Sequence, residues 1–97
     1  MTTTFKYEDK DYELAMTRAG VRAAETQGLS SSQITDKPFS AIGLLFFAAL
    51  YSAYKVTPAK AVTMLDSLID AGDLDFGEVF KELAEEYSNL FGLGESK

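Results

Sequence analysis

The hydrophobic positions of this chain follow a period of two at its start and a helical period thereafter. Phe5 and Tyr7, then Tyr12, Leu14 and Met16, stand two apart on either side of a polar centre, Glu8-Asp9-Lys10-Asp11. Aromatic residues at that spacing around a polar turn predict a β-hairpin over 3–16. The centre holds neither Asn-Gly nor Asp-Gly, so the turn type stays open. A lone hairpin is marginal in water, and one of its faces is expected to rest on helices. A helix follows over 17–27, with Thr17 as cap, Ala19, Ala23 and Ala24 as helix formers and Gly28 as terminator. Val21 and a few alanines are its only apolar residues, which predicts a place at the edge. Residues 29–37, LSSSQITDK, read as a surface loop, either a plain connection or a binding segment.

Three longer helices are predicted after it. Pro38 fits the first turn of a helix over 38–55, with Asp36 or Lys37 near its cap. Thr57-Pro58 restarts the chain, and Ala61, Val62, Leu65, Leu68 and Ile69 form the stripe of a helix over 58–71 ended by Gly72. Asp75 followed by Glu78 resembles a capping box opening a helix over 75–91. There Phe76, Val79, Phe80, Leu83, Tyr87, Leu90 and Phe91 keep the i, i+3, i+4, i+7 pattern. Gly92 and Gly94 end it, ahead of a frayed tail at 95–97. The expected fold is mainly α (α+β): one domain of four helices packed behind a short N-terminal hairpin.

One of these helices has more apolar surface than a small core requires. Phe39 to Tyr54, FSAIGLLFFAALYSAY, carries no charge. At about 100° per residue, Phe39, Ile42, Leu45, Phe46, Ala49 and Ala53 share one face, and Leu44, Phe47, Tyr51 and Tyr54 share the opposite one. Ala41, Ala48 and Ser52 form a third strip, small enough for another helix to approach closely. The second face is covered either by this chain's own elements or by a partner. Tyr and Phe dominate protein interfaces, which makes Leu44, Phe47, Tyr51 and Tyr54 the candidate protein-binding residues.

Composition narrows what such a partner can be. A chain of 97 residues makes one domain, able to bury roughly 60–65% of its unfolded surface. Its net charge is −6, with nine scattered Lys and Arg. Nucleic-acid surfaces and anionic membranes both require clustered positive charge, so neither is an expected partner. The uncharged run is shorter than the roughly 20 residues of a membrane span, and Asp36, Lys37 and Lys55 bracket it closely. The opening MTTTFKYEDK lacks the basic and apolar regions of a signal peptide.

Catalytic chemistry finds little support. There is no Cys and no His, which removes thiolate and imidazole ligands and the usual proton-transfer group at neutral pH. Glu82, Glu85 and Glu86 crowd one side of the last helix, where an amphipathic helix places its solvated face. Ser30, Ser31 and Ser32 lack a His or Cys to pair with, and Lys60 lies on a polar helix face. No glycine-rich phosphate cradle occurs. The expectation is a protein without a catalytic site, metal site or cofactor.

The order of elements carries a resemblance. Phe5, Tyr7, Tyr12 and Leu14 form F-x-Y-x-x-x-x-Y-x-L ahead of a short helix. Lys37-Pro38 then precedes the uncharged helix, and Thr57-Pro58 precedes the acidic C-terminal part. This arrangement resembles the small tail assembly chaperones of tailed bacteriophages and related prophages, and the likeness extends over nearly the whole chain. It implies a cytoplasmic helper, outside the mature virion, that binds the tape-measure protein or the unpolymerised tail tube protein and keeps it soluble. The family offers no catalytic residues to transfer; the idea of an apolar helical surface falls on Leu44, Phe47, Tyr51 and Tyr54. A homo-oligomeric structural or regulatory module, assembled through the same face, is the alternative.

Overall fold

A computed structural model describes residues 3–91, the side chains of Thr3, Ser31 and Phe91 excepted. The antiparallel hairpin pairs β1 (Thr3–Tyr7) with β2 (Lys10–Leu14), Phe5 facing Tyr12 and Tyr7 facing Lys10. Glu8 and Asp9 between them both take positive φ, 52° and 64°. That is the two-residue turn whose twist matches the strands, made here without the glycine or asparagine that normally eases it. The outer edge of β2 is closed by a helix: Glu13 N–H donates to the Tyr54 hydroxyl at 3.0 Å, and Ala15 N–H to the Ala49 carbonyl at 3.1 Å. Those two bonds occupy donors that an added strand would need.

Five helices follow: α1 (Arg18–Glu25), α2 (Ser31–Asp36), α3 (Pro38–Tyr54), α4 (Pro58–Asp70) and α5 (Phe76–Phe91). The fold is mainly helical behind an N-terminal hairpin. The expected loop at 29–37 is corrected by α2. Ser30 accepts a hydrogen bond from Gln33 N–H at 3.1 Å, and Ile34 is half-buried against the core. Local capping thus turns a Ser/Thr-rich linker into one helical turn and a half. Thr17, Thr57 and Asp75 cap α1, α4 and α5 through the amides of Gly20, Lys60 and Glu78, at 3.0 to 3.1 Å. The expected end of the last helix at Gly92 and Gly94, and the tail at 95–97, lie outside the described residues.

Helix α3 is the axis of the core, with every other helix and β2 packed on it. From Leu45 to Leu50 six consecutive residues are buried. On one side Phe46 meets Phe5, which stacks on Tyr12, at centroid distances of 5.5 and 5.3 Å. On another, α1 crosses at Gly20, where an added methyl would overlap the Ala48 carbonyl oxygen. The Thr17 and Ser52 hydroxyls bond at 2.6 Å beside that crossing. The strip of small residues therefore does receive a helix at close range, and it is α1. A glycine here lets the backbone of α1 settle on α3, the neighbour it packs on most closely. After α3, Lys55 takes a left-handed conformation, and the chain bends by 113° into α4.

Candidate protein-binding surface

The four residues proposed from sequence do not form one open face. Phe47 is only 3% exposed, with its ring edge-on to Tyr51 at 5.6 Å. Tyr54 is half-buried; its ring meets Tyr12 at 4.8 Å and its hydroxyl holds the hairpin. Leu44 and Tyr51 are half-buried, and the Lys55 ammonium sits 5.5 Å from the centre of the Tyr51 ring. The hairpin and the other helices thus take up much of the second apolar face of α3.

Open apolar surface appears instead at the other end of the molecule. Among the described residues the exposed large hydrophobics are Phe39, at 79%, and Val62, at 41%, and both line the same cleft. Periodicity grouped Phe39 with the core face of α3 and Val62 with the core stripe of α4; both expectations are corrected. The reason lies in where helices start. A helical side chain leans toward the N-terminus of its helix, so Phe39, one residue after Pro38, projects past the end of the core. Ala53 on the same assigned face is exposed as well.

The cleft, of about 390 Å3, lies between the first turn of α3, one flank of α4 and the start of α5. Ile42 and Leu65, each 2% exposed, make its floor. Val62 and Ile69 rise from α4, with Val62 Cγ2 close enough to Gly43 that a β-carbon there would lie 2.9 Å from it. Phe39 leans on Phe76 at 4.8 Å, and Phe76 stacks on Phe80 at 6.1 Å. Two exposed carboxylates, Asp66 and Asp70, stand one helical turn apart on the rim. The single ion pair among the described residues, Lys6 with Asp11 at 3.9 Å, belongs to the hairpin, so neither rim carboxylate is paired with a described residue. A sequence signal for the cleft existed: the stripe of α4 is wider than one core contact needs, and α3 and α5 each begin with Phe in the first turn.

Three of the residues weighed for chemistry, Ser30, Lys60 and Glu86, hold structural posts. Ser30 caps α2, and the Lys60 ammonium lies over the Tyr7 ring at 5.4 Å. Glu86 is half-buried and its Oε1 accepts the Met16 N–H at 3.4 Å. Burial pushes its carboxyl above the ordinary glutamate value, against the lowering effect of that amide, while Glu82 pushes it further up. Among the described residues no cluster of three or more carboxylates is placed to hold a metal ion. No single helix there is long and apolar enough to cross a membrane.

The family described as Domain of unknown function (DUF5055) matches residues 1–94, and the chain belongs to that family. No curated protein and no solved structure matches it.

Proposed function

We propose that this member of the DUF5055 family is a non-catalytic tail assembly chaperone of a phage or prophage, which shields an apolar segment of a tape-measure or tail tube protein in the bacterial cytoplasm. One observation carries the reading: the exposed large hydrophobics converge on a single preformed cleft with a buried apolar floor and a polar rim. Contiguous apolar surface bounded by polar groups is what a protein-binding site requires, since it gains most from the removal of water. The acidic character of the chain supports the same use, because a net charge of −6 keeps a complex with an apolar client dispersed. The order of motifs from Phe5 to Thr57 points to tail assembly within that class.

The client-facing surface is assigned to the Phe39 cleft rather than to the face of Phe47, which is already occupied by the chain itself. The reading is tested by co-expressing the chain with the tape-measure or tube protein of its own gene neighbourhood, followed by co-purification. Retention of a tail protein by the wild type, lost on Phe39→Ser, is the expected result. Failure of both tail proteins to co-purify, with sedimentation showing a stable dimer that hides Phe39, would replace this reading by the homo-oligomeric module.

A further inference from the structure

The cleft also defines the chemistry of what fills it, given the reading above that it binds a protein segment. Every residue lining it belongs to a helix, and no strand edge enters it. An extended peptide laid on this floor would bury backbone N–H and C=O groups with nothing to pair them. A helix satisfies its own backbone and presents only side chains. From Val62 to Asp70 the wall of α4 extends about 12 Å, two helical turns, which accommodates apolar anchors at i, i+3 or i+4, and i+7.

Charge then selects among amphipathic helices. Asp66 and Asp70 stand together on one lip, exposed and without an ion-pair partner among the described residues. The chain as a whole carries −6, so a second copy brings like charge to an already acidic rim. We infer that the Phe39–Phe76 cleft receives a basic amphipathic helix of the client, two to three turns long, its apolar stripe on Ile42, Val62, Leu65 and Ile69 and its Lys or Arg residues beside Asp66 and Asp70. The rim charges supply orientation and rate of encounter, and the apolar floor supplies most of the affinity.

Two synthetic peptides of about 14 residues, roughly four turns, test this. They share one Leu/Phe stripe and differ only in flanking Lys or Glu. Titrated into the isotope-labelled full-length chain, the Lys peptide is expected to shift amide resonances at Phe39, Val62–Asp70 and Phe76. The Glu peptide is expected to bind at least about tenfold more weakly at low salt. Replacing both rim carboxylates (Asp66→Asn with Asp70→Asn) should cut affinity for the Lys peptide about fivefold, as expected for exposed charge pairs, while Phe39→Ser should abolish binding with the spectrum otherwise folded. Equal affinity for the two peptides overturns the charge assignment, and shifts centred elsewhere overturn the site. A dimer that dissociates on Phe39→Ser makes a second copy the occupant and overturns the inference as well. The chaperone reading is tested separately by co-purification: a client that co-purifies undiminished with Phe39→Ser leaves chaperone activity standing and removes the cleft from it.

Discussion

The middle and the first turn of α3 are both uncharged in sequence and are treated in opposite ways by the fold. Through its middle, Leu45 to Leu50 are enclosed by the hairpin and the neighbouring helices, and even Phe47 retains only 3% of its surface. At its N-terminal end, Phe39 keeps 79% of its surface and leans over a cleft only half closed by Val62 and Phe76. Hydrophobicity alone does not separate a core residue from an interface residue here. What separates them is whether another element of the same chain reaches that far along the helix. The hairpin and α1 cover the middle, whereas beside Phe39 the cleft is bounded by the flank of α4 and the first turn of α5.

The largest effect should come from breaking the enclosed middle. Phe47→Ala removes a buried ring and should cost about 3–5 kcal/mol, a large part of the total stability of a domain this size. Chemical denaturation monitored by circular dichroism would register it as a lowered midpoint. Retention of wild-type stability would mean that Phe47 is surface after all. Next comes the crossing of α1. Gly20→Ala places a methyl into the Ala48 carbonyl. A methyl set against a backbone oxygen falls at the upper end of overpacking costs of about 1–3 kcal/mol, and with about 1 kcal/mol regained from alanine's helix propensity the net loss is about 2 kcal/mol. The same measurement checks it, and an unchanged midpoint would show that α1 does not sit so close.

A smaller effect sharpens the comparison at the junction of hairpin and α5. The native state holds Glu86 protonated more readily than the unfolded chain does, since burial raises its carboxyl. The folded state therefore binds more protons in the window just above the ordinary glutamate value, and stability there falls as pH rises. On acidification from neutral pH the thermal midpoint should climb more for the wild type than for Glu86→Gln, whose amide oxygen can still accept the Met16 N–H. Parallel profiles of the two proteins would show that Glu86 is solvated.

Legibility in the sequence followed the same division. The hairpin, α4 and α5 were readable from their periods, and α1 and α3 from helix-forming composition and start signals: Thr17, Pro38, Thr57-Pro58 and Asp75 start the four helices where expected. Helix α2 was missed because LSSSQITDK lacks a stripe, although Ser30 with Gln33 three residues on is a capping signal. The hairpin turn could not be typed because Glu8 and Asp9 adopt left-handed conformations without the residues that usually mark them. The cleft was hidden for another reason. Periodicity assigns a face to each residue but says nothing about where along the axis the covering elements stop, so Phe39 and Ile42 shared one face and met different fates. Likewise the small-residue strip correctly announced a close helix, without revealing that the helix was the chain's own.

The central claim is that Phe39 is exposed for binding while Phe47 is enclosed for stability. One paired experiment addresses it: thermal unfolding and tail-protein co-purification of Phe39→Ser beside Phe47→Ser. The account predicts that Phe39→Ser melts within a few degrees of the wild type, its surface position costing no more than about 0.5 kcal/mol, and loses the client. Phe47→Ser is predicted to be strongly destabilised. A Phe39→Ser protein that unfolds like Phe47→Ser, or that stays folded and keeps its client, would contradict the account.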